Sequence, residues 1–211
     1  WPLNEEDLYR QPSLSGDIKA DWVVIGSGYA GVSFARRLAS INPQLSIVLI
    51  DAECAATSSS ARNSGFIIGL PHNIGSSTAE FKKAQDYRAL LQEGIRLLDD
   101  TVTKHQIDCE WENVGKYHCQ IDPSSEAIMQ EYVDNLQLMQ EPYSLLNGEE
   151  LYQKLGTRLY SKGIYTPGCI LVNPAKLIAG LARHLPENVT VYHQTPALAM
   201  RQENGGVRVT T

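Results

Sequence analysis

The chain has 211 residues, 43% hydrophobic and 20% charged, and carries a formal net charge of −6. That is enough apolar material for one large domain or one and a half smaller ones, and it excludes a disordered chain. The acidic balance argues against non-specific binding to nucleic acid or anionic membrane, and with no apolar run near ~18 residues no transmembrane helix is expected.

Residues 1–20 are acidic and polar, read as an arm leading into the first strand rather than a signal peptide. The four cysteines, Cys54, Cys109, Cys119 and Cys169, form no C-x-x-C and no metal-ligand spacing with histidine. They read as reduced thiols of a cytoplasmic protein that holds no metal.

Asp21 to Asp51 is the most informative stretch. An apolar run, Trp22 to Ile25, breaks at glycines 26, 28 and 31; an amphipathic helix should follow to about Ser40; a second apolar run, Ile47 to Ile50, ends on Asp51. This is a βαβ unit with the G-x-G-x-x-G dinucleotide fingerprint and an acid about twenty residues further on. Gly26 permits the tight turn, Gly28 lets backbone approach a pyrophosphate, and Gly31 lets the helix pack on the sheet. The helix start offers free N–H groups to phosphate. Asp51 suits a ribose diol and repels a 2′-phosphate, which disfavours NADP and leaves FAD and NAD open.

A polar loop rich in Ser, Gly and Asn follows Asp51 for about twenty-five residues, long enough to suggest function. Phe81, Ala84, Tyr87, Leu91, Ile95, Leu98 and Val102 then predict a helix over about 78–105. Residues 110–121 look like strands with a turn at Gly115. Asp122-Pro123 and Asn147 read as helix starts, Gly156 as a stop. Residues 159–172 suggest two short strands around Pro167-Gly168. Asn173-Pro174 opens a helix to about Leu185, residues 189–194 form a strand, and residues 203–206 turn a β-hairpin. The chain stops at Thr211 inside an alternating strand, which suggests the N-terminal part of a longer protein. No G-x-S-x-G, H-E-x-x-H or P-loop lysine points to another chemistry.

Four features together, the lead-in LSGDIKADWVVIGSGYAG, the strand IVLID, the segment SSSARNSGF, and LVNPAKLIAGLARHLPENVTVYHQTPALAM with GGVRVTT, resemble the FAD-dependent amino acid/amine oxidoreductase family, the D-amino-acid oxidase-like superfamily. The likeness is to glycine-oxidase-like and gamma-glutamylputrescine-oxidoreductase-like members. It implies an α/β fold: a Rossmann-like FAD-binding domain (residues 1–75 and, returning, 173–211, apparently truncated) with a partial α+β substrate domain inserted at 76–172. The cofactor would be FAD. Gly26, Gly28, Tyr29, Ala30, Gly31, Asp51 and Ala52 would hold its nucleotide end. Ser60, Arg62, Asn63, Gly65 and Phe66 would lie along the pyrophosphate, ribityl chain and isoalloxazine, and the backbone of Ala197 would flank the adenine. Ala61 and Ser64 stand where the family has glycine, and Ala197 where it often has valine.

The implied reaction removes hydride from the carbon next to an amine nitrogen, with electrons passing to O₂ or another acceptor. That chemistry demands no acid–base residue, so no catalytic residue is assigned. His72 is read as an ordinary loop histidine rather than a substrate contact. Expected partners are a small amine or amino acid, an electron acceptor, and either an oligomer or a missing C-terminal half. The competing readings are an NAD-binding Rossmann protein and a fragment that binds FAD weakly or does not turn over.

Overall fold

The computed structural model describes residues 8–70, 78–203 and 205–211, and of residues 78–87 the backbone only. In chain order the elements are β1 (Trp22–Ile25), α1 (Tyr29–Ile41), β2 (Ile47–Ile50), β3 (Phe66–Ile68), α2 (Thr78–His105), β4 (Glu112–Asn113), β5 (Lys116–Gln120), α3 (Glu126–Leu138), β6 (Ser144–Asn147), α4 (Gly148–Leu155), β7 (Lys162–Thr166), β8 (Cys169–Leu171), α5 (Pro174–Arg183), β9 (Val189–Tyr192), β10 (Ala199–Glu203) and β11 (Gly206–Thr210). They divide into two compact units. One comprises Trp1–Gly65, Thr101–Glu110 and Asn173–Thr211; the other comprises Phe66–Asp100 and Trp111–Val172.

The first unit is built on a parallel sheet of order β1-β2-β9. All four residues of β2, Ile-Val-Leu-Ile, are buried, as a central parallel strand covered on both faces requires. The register pairs Ile25 with Ile50 and Ile50 with Tyr192. The three strands therefore end level, and Gly26, Asp51 and His193 follow along one edge. Crevices at the carboxyl ends of parallel strands are where such sheets bind ligands.

Helix α1 buries Val32, Ala35 and Ala39. Helix α5 starts on the expected cap, Asn173 accepting the Lys176 N–H at 3.2 Å with Pro174 in the first turn, and almost all of its residues are buried. Arg36 ties the two helices, donating to the Leu181 carbonyl at 2.7 Å. The β10–β11 hairpin forms a separate antiparallel pair.

The second unit holds two antiparallel sheets, β3-β8-β4 and β5-β7-β6. Tyr132, Val133, Leu136 and Met139 around α3 form its core with Ile164 of β7. The two strands around Pro167-Gly168 part company: β7 pairs with β5 and β6, whereas β8 pairs with β3 and β4. Three boundaries differ from expectation. The polar loop after Asp51 contains a 3-10 turn at Ser59–Ala61 and ends in β3, because Phe66–Ile68 finds a partner in β8. Asp122 caps a 3-10 turn, Pro123–Ser125, and the α-helix begins only at Glu126. Ser144–Asn147, with no strong alternation, becomes a strand by pairing with β7.

The helix over 78–105 is present, and Asn147 and Glu150 complete a capping box on α4 that ends at left-handed Gly156. Of the apolar face foreseen on α2, Val102 is buried, Ile95 and Leu98 are half-buried and Leu91 is exposed; the side chains of Phe81, Ala84 and Tyr87 lie outside the described residues. No helix among the described residues is long and apolar enough to cross a membrane.

Candidate dinucleotide site

The loop that leaves β1 turns through Gly26, whose φ of +100° an L side chain rarely adopts. Its N–H donates to the Ile50 carbonyl at 2.8 Å, continuing the sheet's ladder into the turn. The next residue, Ser27, is buried at 3% exposure. Its backbone N–H and its hydroxyl both donate to Asp51 Oδ2, at 2.5 and 2.7 Å. The Glu53 N–H donates to Asp51 Oδ1 at 2.9 Å. Fingerprint loop and acid are thus one hydrogen-bonded assembly, not two neighbours that only share a sheet edge. Ser27 was not among the residues singled out from sequence, because the fingerprint leaves its second position free.

Gly28 is the N-cap of α1; no side chain caps this helix and its first turn contains no acid. The start of α1 therefore keeps its positive end for an anion. A β-carbon on Gly28 would sit 2.8 Å from Ser60 Oγ, and one on Gly31 would sit 1.9 Å from the Gly26 carbonyl oxygen. The first glycine keeps room beside the helix start; the second lets α1 press directly on the turn. Tyr29 donates its N–H to Ser60 Oγ at 3.2 Å and its hydroxyl to the Pro174 carbonyl at 3.1 Å. Burial pushes that phenol's pKa up to about 12, so it stays a neutral brace to α5. Ala30 is exposed beside it.

Ser60 lies in the 3-10 turn, and Arg62 and Asn63 follow it with exposed side chains. Asn63 shapes the loop: its amide donates to the Ser60 carbonyl at 2.9 Å and its carbonyl accepts the Gly65 N–H at 2.9 Å. Gly65 is buried with φ +78°. Ala56 adopts a left-handed φ of 75° without being glycine. Thr195 donates its N–H to the Asp51 carbonyl at 2.8 Å, which brings the segment before β10 alongside the acid, with Ala197 exposed on it. Ala52 is exposed next to Asp51. Phe66 begins β3 and belongs to the second unit, with 51% of its surface exposed. His72 lies outside the described residues.

The N-terminal arm crosses the end of β9. Gln11 donates its N–H to His193 Nδ1 at 2.9 Å, the His193 N–H donates to the Pro12 carbonyl at 3.2 Å, and the Leu14 N–H donates to Thr195 Oγ1 at 3.0 Å. His193 is buried at 1% exposure with the Tyr9 ring edge-on at 5.6 Å. Burial pushes its pKa down, opposed by the Asp51 carboxylate.

The donor set fits a dinucleotide with a long polyhydroxyl arm. It combines an uncapped helix start, a cradle at Gly28 that a β-carbon would fill, a held carboxylate, and hydroxyl, guanidinium and amide groups in one loop. The model of the family described as DAO, FAD dependent oxidoreductase, matches residues 21–211.

The chain belongs to the DAO family of FAD dependent oxidoreductases.

Membership resolves the choice the fingerprint left between FAD and NAD in favour of FAD. Among curated relatives of this DAO chain, the probable oxidoreductase OrdL of Rhizobium meliloti is 27% identical over 95% of the chain and 47% of the relative. The gamma-glutamylputrescine oxidoreductase of Escherichia coli is 22% identical over 88% and 46%. The chain thus spans about half the length of the curated relatives it matches. Among solved structures, glycine oxidase from Bacillus cereus superposes with a TM-score of 0.70 at 20% identity, covering 90% of this chain and 53% of that one. Glycine oxidase from Geobacillus kaustophilus gives 0.73 at 17% identity, over 90% and 50%. These likenesses establish the fold.

Proposed function

We propose that the chain supplies the flavin-holding end of an enzyme that oxidises a C–N bond of a small amine or amino acid. The observation that carries the reading is the assembly at the carboxyl edge of the parallel sheet, where Ser27 holds Asp51 and Gly28 keeps space beside Ser60 and an uncapped helix start. The names of two relatives, a gamma-glutamylputrescine oxidoreductase and a glycine oxidase, support the substrate class.

In this reading the N–H groups of Ala30, Gly31 and their neighbours face the pyrophosphate, and Gly26, Gly28 and Tyr29 shape that turn. Asp51 accepts from the adenosine ribose beside Ala52, and the backbone at Ala197 flanks the adenine. Ser60, Arg62, Asn63 and Gly65 continue along the ribityl arm towards Phe66. FAD, when bound, supplies the two-electron acceptor. The chain's own residues bind and orient; none is assigned as general acid or base. The unit of Trp1–Gly65, Thr101–Glu110 and Asn173–Thr211 is the flavin part and that of Phe66–Asp100 and Trp111–Val172 the substrate part, in place of the division at 75/76 and 172/173 expected from the resemblance. Four free cysteines suit a cytoplasmic setting, and O₂ or another acceptor takes the electrons.

The test is the absorbance of the purified protein in the flavin bands, with a screen of amines and amino acids by peroxide release and dye reduction. Bound flavin and turnover of an amine are expected; colourless protein that takes NAD instead would sink the reading. The chain's coverage of about half of its relatives favours a second reading, a segment that binds FAD weakly or does not turn over. A longer form that reacts where this segment only binds flavin would select it.

A further inference from the structure

Asp51 Oδ2 already accepts two hydrogen bonds, from the Ser27 N–H at 2.5 Å and the Ser27 hydroxyl at 2.7 Å. Oδ1 accepts one, from the Glu53 N–H at 2.9 Å. An ionised carboxylate offers about four acceptor positions. Three are occupied by donors from the chain itself, and among the described residues no other donor reaches the group. The backbone on both sides is held as well: the Asp51 N–H donates to the Tyr192 carbonyl at 3.0 Å and the Asp51 carbonyl accepts the Thr195 N–H at 2.8 Å. The carboxylate therefore cannot turn without breaking bonds at a serine that is itself buried.

We propose that Ser27 is a positioning residue for nucleotide recognition: by tying Oδ2 into the fingerprint loop it leaves one acceptor position, on Oδ1, so that Asp51 reads a single hydroxyl of the ribose rather than both. The inference rests on the flavin-site reading and sharpens it. A free carboxylate would grip a ribose diol with both oxygens; this one is held with one oxygen turned inward. The bond to the ligand hydroxyl is to a charged group and forms where the acceptor is pre-aligned, so loss of that hydroxyl costs affinity on one side of the ribose only.

The experiment is calorimetric titration of the chain with ADP, 2′-deoxy-ADP and 3′-deoxy-ADP, repeated on Ser27→Ala and Ser27→Thr. In the unsubstituted chain one deoxy analogue is expected to bind ~10-fold more weakly than ADP and the other to stay within ~2-fold. Ser27→Ala removes the hydroxyl donor on Oδ2 and opens a second acceptor position there, while the Ser27 and Glu53 N–H bonds remain, and should reduce the asymmetry between the analogues to below ~3-fold; Ser27→Thr keeps a hydroxyl and should retain it. A purely structural serine would change all three affinities together and leave their ratio alone. Equal losses for both analogues in the unsubstituted chain, or an unchanged ratio in Ser27→Ala, overturns the inference while the flavin reading stands. A chain that binds none of the three nucleotides overturns the flavin reading and this inference together.

Discussion

The hydroxyl of Ser60 occupies the space beside Gly28: a β-carbon on that glycine would lie 2.8 Å from Ser60 Oγ, which also accepts the Tyr29 N–H at 3.2 Å. The two glycines of the fingerprint therefore differ in what they protect. At Gly28 the obstacle is the tip of a short side chain that can rotate away; at Gly31 it is the Gly26 backbone carbonyl, 1.9 Å from the added carbon. Gly28→Ala should cost about the one displaced hydrogen bond, ~1 kcal/mol, while weakening flavin binding. Gly31→Ala must push α1 off the turn and should cost at least ~2–3 kcal/mol, or about 5–10 °C in melting temperature. Thermal melts of both variants check the order, and equal losses would contradict it.

Ala56 is held at φ 75° in the loop before Ser60. A left-handed L residue is strained by about 1–2 kcal/mol, whereas glycine is not. Glycine also has more unfolded-state freedom to lose, which offsets part of the gain. Ala56→Gly is therefore expected to stabilise the protein by about 0.5–1 kcal/mol, read as a rise in melting temperature. A fall would mean that the loop does not hold this conformation.

Lys116 sits at the start of β5 with its ammonium buried, without a hydrogen-bond partner among the described residues, 5.9 Å from the centre of the Tyr132 ring. Burial pushes its pKa down to about 8 from an ordinary 10.5. The folded state then binds fewer protons than the unfolded one between those values, so stability should rise with pH from about 8 to about 10.5. Below that window the charged amine is a standing penalty. Discounted for the side chain's partial exposure, it is about 1 kcal/mol. Denaturant unfolding of Lys116→Met should show higher stability at pH 7 and lose the advantage near pH 10.5.

His193 is linked to pH with a different consequence. It receives the Gln11 N–H on Nδ1, which only the neutral ring can do. Burial lowers its pKa below the ordinary 6.5, against the attraction of Asp51 and with the Tyr9 ring packed edge-on. The unfolded chain takes up the proton first, so stability is fully present above about 6.5 and is lost as pH falls from there towards the folded value. The arm should loosen as the ring finally charges. Hydrogen exchange at the Gln11 and Leu14 amides across pH 7 to 5 checks this; exchange at Gln11 that is insensitive to pH would contradict it.

Much of this was legible in the chain because the signals are local. Apolar runs punctuated by glycine located β1 and β2, and Asn173-Pro174 located α5. The fingerprint with its acid located the sheet edge where Ser27 and Asp51 meet. What escaped depends on contacts between distant residues. Ser27 and Asp51 are bonded only because β1 and β2 run parallel in one register. The divergence of β7 and β8 depends on which strands compete for them. Buried His193 reads as an ordinary strand-end residue until the arm is laid over it. The DAO resemblance supplied Ala197 and Phe66 as site residues; no local pattern singles them out.

The most direct measurement of the central claim is titration of flavin-free protein with FAD, followed by quenching of flavin fluorescence, with Asp51→Lys and NAD as controls. Saturable quenching that ADP displaces, that NAD does not displace at the same concentration, and that Asp51→Lys abolishes is the expected result. No saturable quenching, or quenching untouched by Asp51→Lys, would contradict the assignment of this edge of the sheet as the FAD site.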